Sequence, residues 1–492
     1  MVTHARPCGY GGSAPPNPNL AQRATSVAEE ISIEMTTLNK RKTPALTGSM
    51  KRMARMPSAV RWTLYIFLFS LCFENYDPFN MSGSVTLSKM AGILFALACF
   101  WKAPGIFVRQ HWTVLLLLWV WLWLAIVTFV AELEFPVSET AFRNVLFAQA
   151  QCFLLYWLSV NVLRDRRTAA YGLLAFTASA ALMCVLMKLG IGRQVYREGM
   201  FHERISFLGA NSNIIAVWSG ISLLVIVGIV VGNVMRWDYR RYGLLLLVAP
   251  MLVVMIESGS RGAAVSLVLA MACFLLTAGS LDKRILIGLA SVCICLGFYY
   301  LSKGSVLADR FQKTAETGSM AGREELWPAA IRMIGKRPLF GWGMYSATSD
   351  ELAPVIPRGD LEGNDPHNAF LAFFVFGGAF AGVAFVTLNL YWLYRTFTAR
   401  NRRWGILPFA MTVFIVSTMF KGGGFYIAKI PWVILAFSTA SCIPRRQQEL
   451  IRLRRPKRRA SASPTDAPEA TDVSGVPSDP SADRRAFSGH TV

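Results

Sequence analysis

Between residues 60 and 443 the sequence divides into about twelve apolar segments near the length a bilayer demands. They centre on 62–75, 86–101, 112–131, 144–163, 169–189, 213–235, 242–257, 262–279, 285–302, 369–394, 405–420 and 424–441. Hydrocarbon offers backbone amides no water, so such segments are expected as helices that satisfy their own hydrogen bonds. Composition agrees: 54% of the 492 residues are apolar and only 16% are charged. A soluble domain carries about a quarter charged residues. The chain therefore reads as an all-α polytopic membrane protein. Trp62, Trp101, Trp112, Tyr239 and Trp404 stand near segment ends, where aromatic anchors meet the interface.

The net charge of +21 suggests nucleic acid only until its distribution is followed. Residues 1–59 hold eight Lys/Arg against three Asp/Glu, and residues 444–492 hold ten against six. Both segments are polar, without usable periodicity, and are expected as disordered cytoplasmic tails flanking a membrane domain at 60–443. No apolar h-region precedes Arg61, so no signal peptide is expected. Within the domain, basic residues recur in every second loop: Lys102 and Arg109; Arg164, Arg166 and Arg167; Arg236, Arg240 and Arg241; Lys283 and Arg284; Arg395, Arg400, Arg402 and Arg403. The intervening loops carry Glu74 and Asp77, then Glu132, Glu134 and Glu139. The positive-inside rule places both tails in the cytoplasm and the acidic loops outside. The excess charge is thus mostly topogenic, and no nucleic-acid partner is expected.

The loop at 303–368, between the ninth and tenth segments, is long but not low-complexity, and long loops in compact proteins are usually functional or disordered. Leu326, Trp327, Ala330, Ile331 and Ile334 form an apolar stripe at helical spacing, with Arg323, Glu324, Glu325, Arg332 and Lys336 around it. This predicts an amphipathic helix lying on the membrane or capping a cavity, with Pro328 in its first turn. The turn 338–343, Pro-Leu-Phe-Gly-Trp-Gly, then redirects the chain.

Three arginines stand where the charge rule forbids them, on the outer face: Arg204, Arg261 and Arg323. Gly259 and Gly262 flank the Ser260-Arg261 pair, which lets backbone approach a ligand. His367 stands just before the tenth segment, where Asp365 or Asn368 would cap the helix. A neutral imidazole is favoured at the positive end of a helix dipole. Guanidinium forks bind phosphates bidentately and stay charged beside lipid. Several on one cavity would hold a pyrophosphate and stabilise its departing charge, while one histidine takes a proton from an attacking hydroxyl. The pattern describes group transfer from a pyrophosphate-linked lipid without a required metal or cofactor.

Plainer roles exist for each residue alone. An arginine at a helix end is commonly an interfacial snorkeller. His202 competes with His367 but lacks a matching context. Glu74 and Asp77 would serve as a carboxylate pair or, more simply, as structural groups. Lys421-Gly422-Gly423-Gly424 reads as a broken helix or, more simply, a turn. The nine cysteines have no metal-ligand spacing and read as small buried side chains. The functional reading rests on the coincidence of four residues on one face.

The run Arg204 to Asn213, Ser260-Arg261-Gly262, Gly322 to Trp327, the turn 338–343, Pro366-His367-Asn368 with Phe370-Leu371, and Gly377-Gly378 follow one another in a familiar order. Over roughly 190–400 the sequence resembles the O-antigen ligase and polymerase family of bacterial membrane glycosyltransferases. One departure is Ser212, where the family often has proline before the asparagine matched by Asn213. The resemblance implies a GT-C-like fold with a large periplasmic loop, and a donor glycan on undecaprenyl pyrophosphate. It implies that Arg204, Arg261 and Arg323 grip the donor pyrophosphate and that His367 activates the acceptor hydroxyl. Asn213, Ser260, Trp327 and Asn368 are expected to support them.

The expected function is glycan transfer to a lipid or glycan acceptor at the periplasmic face of the bacterial inner membrane, in surface polysaccharide biosynthesis. A ligase would join polymer to a lipid, whereas a polymerase would extend the lipid-linked chain. A twelve-helix secondary transporter is the competing class. It predicts charges at mid-span and repeated halves, but only Lys188 and Lys429 approach that pattern, both near segment ends, and no repeat is evident.

Overall fold

A computed structural model of the chain describes residues 56–79, 85–103, 110–134, 139–197, 203–231, 239–277, 305–318, 323–344, 366–402, 404–422, 424 and 427–443. The helices are α1 Ser58–Ser70, α2 Leu87–Lys102, α3 Trp112–Glu134, α4 Glu139–Val162, α5 Arg166–Lys188, α6 Ser212–Val231, α7 Val248–Glu257, α8 Arg261–Thr277, α9 Val306–Thr317, α10 Arg323–Lys336, α11 Ala369–Thr398, α12 Leu407–Met419 and α13 Lys429–Cys442. Eleven of the twelve apolar segments therefore contain a helix. The ninth, 285–302, lies outside the described residues, as do Cys8, Cys293, Cys295, His202, Asp365 and all of the two tails but 56–59.

Among the described residues four helices, α3, α5, α6 and α11, are long and apolar enough to cross a membrane, and six shorter apolar helices accompany them. Helix α3 shows why the molecule belongs in lipid. Val114, Leu117, Val120, Leu124 and Thr128 face the core, while Leu115, Trp119, Leu122, Ile126, Phe129 and Leu133 are exposed. The exposed residues recur every three or four positions and form a continuous apolar stripe with no protein over it. In water such a stripe would be an aggregation surface; in a bilayer it meets its natural solvent. The protein is membrane-embedded.

Helix α6 is the hub, with nearly all of its residues buried. It packs on α5, α7, α8 and α12. Gly220 and Gly228 lie under Phe414 and Leu407, so α12 approaches closer than any side chain would allow. Away from the long loop, four helices share a buried polar junction. The Tyr156 hydroxyl lies 2.8 Å from that of Thr113 and 2.9 Å from that of Thr439, and the Trp392 indole donates to Thr439 at 2.9 Å. Each group is satisfied by another, as hydrocarbon surroundings require. The six described cysteines are buried, in keeping with a packing role.

Three features depart from the sequence expectation. The molecule is not purely helical: Arg193–Arg197 (β1) and Glu203–Phe207 (β2) pair antiparallel, with Tyr196 opposite Arg204. Five-residue strands are too short for alternation to announce them, and Ile205, Ser206 and Phe207 are all buried. Second, the long loop holds two helices, α9 as well as α10. Pro328 is the sixth residue of α10, not in its first turn, because the helix already starts at Arg323, with Glu324 and Glu325 on its positive end. Pro328, which has no amide hydrogen to donate within the helix, stands on its exposed side. The inward face is Leu326, Ala329, Ala330 and Met333, whereas Ile331 falls off the stripe and is 59% exposed.

The third departure is inside α11, which reads in sequence as one continuous apolar run. Gly378 (φ 63°, ψ −158°) breaks it into 369–377 and 379–398. The Phe373 and Phe385 rings stack with centroids 3.9 Å apart. In a straight helix twelve residues would separate them by about 18 Å. The two parts therefore fold against each other as a V.

Candidate active site

The tight turn 258–262, between α7 and α8, is the point on which the outlying arginines converge. The Ser258 hydroxyl donates to the Met255 carbonyl at 2.6 Å and accepts the Ser260 amide at 3.3 Å, which fixes the turn from within. Gly259 has φ +67°, a conformation that side chains resist. Ser260 is buried, and its carbonyl accepts the Ala264 amide to open α8.

Each arginine reaches this turn or its neighbours from a different element. Arg204, held on β2 by buried Ile205 and Phe207, donates from Nε to the Ser258 carbonyl at 3.2 Å and from Nη2 to Asn213 Oδ1 at 3.0 Å. Asn213 is anchored in turn, its amide bonded to Asn211 Oδ1 at 2.8 Å. Arg261, the first residue of α8, donates to the Arg310 carbonyl at 3.0 Å. Arg323, the first residue of α10, donates to the Lys421 carbonyl at 2.7 Å. These carbonyls orient the guanidinium planes without removing their charge.

Two further cations belong to this cluster: Arg310, which the sequence does not single out, and Lys421, which it offers only as the start of a glycine run. Arg310 on α9 donates to the Gly259 carbonyl at 3.2 Å and pins the long-loop helix onto the turn. Its stem and Val306 fill the space beside Gly259. Lys421 lies along Gly262; a Cβ added to that glycine would sit 3.3 Å from Lys421 Cβ and 3.5 Å from its Cδ. The two glycines thus admit a helix and a lysine stem rather than bare ligand. Arg310 lies in the same expected outer loop as Arg323, but Arg332 and Arg337 do too, so the charge rule alone does not single it out. Lys421 was hidden in a glycine run that reads as a turn.

Positive charge is crowded at this point. Burial, together with the Arg261 charge, pushes Arg323 below the ordinary arginine value, and Glu324 offsets part of this. Lys421 is lowered by burial and by the charges of Arg323 and Arg261. A guanidinium remains charged through such a shift.

His367 stands immediately before α11. Its backbone takes φ +51°, a left-handed conformation that costs a residue with a Cβ on the order of 1 kcal/mol. The cap that follows sustains it: Asn368 Oδ1 accepts the amides of Phe370 and Leu371 at 3.0 and 3.2 Å. Asn368 is thus the helix cap. Phe370 stacks on Phe420 at 4.3 Å, and Phe420 adjoins Lys421. The aromatic pair joins the start of α11, which follows His367, to the end of α12, which precedes Lys421. Trp327 is not drawn into the cluster; it packs on Leu326 and Ala329 in a small apolar patch of α10.

The 338–343 turn supports the helix that His367 opens. The amides of Trp342 and Gly343 donate to the carbonyls of Val375 and Phe376 at 2.8 and 2.9 Å, and the Ala379 amide donates to Pro338 at 2.7 Å. The Trp123 indole donates to the Gly377 carbonyl at 2.8 Å. These bonds replace those lost at the break, which otherwise would leave polar groups bare. A Cβ on Gly378 would collide with the Leu339 carbonyl, so glycine is needed for both conformation and space. Arg337 locks the other side, pairing with Glu134 and lying 4.3 Å over the Trp342 ring.

The profile of the O-antigen ligase family matches residues 244–386. This part of the chain belongs to the O-antigen ligase family. The match runs from the approach to α7 through the long loop and past the break in α11, so it contains Arg261, Arg310, Arg323 and His367. Arg204, Asn213 and Lys421 lie outside it. No curated protein matches the chain significantly. Membership gives an O-antigen ligase or polymerase role in surface polysaccharide biosynthesis, with lipid-linked glycans as the class of substrate.

Proposed function

We propose that this protein transfers a glycan from undecaprenyl pyrophosphate to an acceptor hydroxyl at the periplasmic face of the bacterial inner membrane. The observation that carries the reading is the convergence of Arg204, Arg261 and Arg323, from three separate elements, around one turn within or beside the family match. The three guanidinium groups bind the donor pyrophosphate. His367 accepts the proton of the acceptor hydroxyl, whose oxygen attacks the anomeric carbon. The bond from that carbon to the phosphate oxygen breaks, and its electron pair leaves with the lipid pyrophosphate. Guanidinium groups fixed in advance stabilise that charge as it develops, the task a metal would otherwise perform. Asn213 and Ser260 hold the arginines' platform, and Asn368 holds His367. Trp327 offers an apolar surface beside Arg323 for the polyprenyl chain.

The reading includes about twelve crossings in a GT-C-like arrangement, both tails cytoplasmic, and the long loop in the periplasm. It is tested by replacing His367 with alanine at normal protein level and measuring surface polysaccharide and lipid-linked glycan. The expected result is loss of displayed polymer. Long unattached chains on the lipid identify a ligase, and single repeat units a polymerase. Wild-type display overturns the catalytic role of His367.

A further inference from the structure

Lys421 lies outside the family match, yet it is built into the cation cluster by two independent contacts. Its carbonyl accepts Arg323 at 2.7 Å, and its aliphatic stem rests on Gly262, next to Arg261. The backbone and the first part of the side chain are therefore fixed, while the ammonium at the exposed end keeps its freedom. No carboxylate among the described residues pairs with it. An ammonium is a point charge on a flexible stem, free to follow an anion that moves. The anion of this reaction changes during turnover: the donor diphosphate is esterified at both ends, and its release frees a terminal phosphate with additional negative charge.

We propose that Lys421 is a further residue of the reaction, the cation that meets the terminal phosphate of the departing polyprenyl diphosphate. The proposal rests on the reading given above, in which the arginines hold the diphosphate. It makes Lys421 a determinant of diphosphate over monophosphate. The arginines hold the part both ligands share, and Lys421 meets the part only the diphosphate has.

The test measures binding of farnesyl diphosphate, farnesyl monophosphate and inorganic pyrophosphate to the full chain in detergent. Wild type is expected to prefer farnesyl diphosphate to both others. Lys421→Gln should weaken farnesyl diphosphate by about tenfold and leave farnesyl monophosphate within about threefold. Lys421→Arg should restore the preference. Burial, with the charges of Arg323 on α10 and Arg261 on α8 that face the ammonium, places loss of its proton below the pH of an ordinary lysine. Affinity for the diphosphate should therefore fall as alkaline pH removes that charge, and in Lys421→Arg this fall should disappear. A merely structural Lys421 would give no such pH effect. Unchanged preference in Lys421→Gln, while Arg261→Gln and Arg323→Gln weaken binding, overturns the role of Lys421 alone. If those arginine variants also bind as wild type does, the reading of the whole cluster falls. Equal binding of inorganic pyrophosphate and farnesyl diphosphate overturns the assignment to a lipid-linked anion.

Discussion

Cations at the long-loop end of the molecule are held in two ways. Lys188 pairs with Glu257, Lys429 with Glu74, and Arg337 with Glu134. Arg204, Arg261 and Arg323, by contrast, have described hydrogen bonds to carbonyl oxygens of Ser258, Arg310 and Lys421. A carboxylate cancels the charge it meets, and the pair becomes part of the scaffold. A carbonyl only aims a guanidinium, whose charge still acts on its surroundings: after burial, the Arg261 charge is the next cause that lowers Arg323, and the Arg323 and Arg261 charges are the next that lower Lys421. Both sets are basic residues at one end of the molecule, so position in the sequence cannot separate them; their described contacts are what differ.

The largest effect expected from this difference lies in the carbonyl-bound set. Arg261→Gln or Arg323→Gln should each lower glycan transfer by at least about a hundredfold, since an aimed cation acts where charge develops. Thermal melting of either purified variant should stay near that of wild type. A large loss of stability with normal turnover would move that arginine into the scaffold set.

The carboxylate-paired set should behave in the opposite sense. The Lys429 and Glu74 side chains are 11% and 23% exposed, so Lys429→Met strands a largely buried carboxylate. We expect a loss of about 2 kcal/mol, read from denaturation in detergent, with turnover per folded molecule unchanged. Adding Glu74→Gln should recover part of that loss, because no charge is then left alone. The smallest effect belongs to the more open Lys188–Glu257 pair, where Lys188→Met should cost less than about 1 kcal/mol. Loss of transfer in either lysine variant at full folding would break the division between the two sets.

The helices were legible because lipid demands long unbroken apolar runs, and such runs survive without knowledge of tertiary contacts. The same property hid the break at Gly378. A 30-residue apolar stretch looks continuous when the groups that repair the break, Pro338, Trp342 and Gly343, come from a turn far away in sequence. The β1–β2 pair was invisible for a related reason: its strands are too short to show alternation, although it places Arg204. The arginines were legible because they violate a charge rule, and His367 because of its place before a helix. Their common turn was not, since it depends on α9 and on Lys421 folding back over Gly259 and Gly262. Trp327 was expected to support the site because it closes the family-like run Gly322 to Trp327, and its described packing is on Leu326 and Ala329.

The central claim is a division of labour, with the arginines on the donor and His367 on the acceptor. It is tested most directly by steady-state kinetics of the full chain in lipid nanodiscs, with a polyprenyl-diphosphate-linked glycan as donor. His367→Ala should lower kcat by about a hundredfold or more and leave the donor KM within about threefold, whereas Arg323→Gln should raise the donor KM. A wild-type kcat in His367→Ala, or an unaltered donor KM and kcat in Arg323→Gln, would contradict the account.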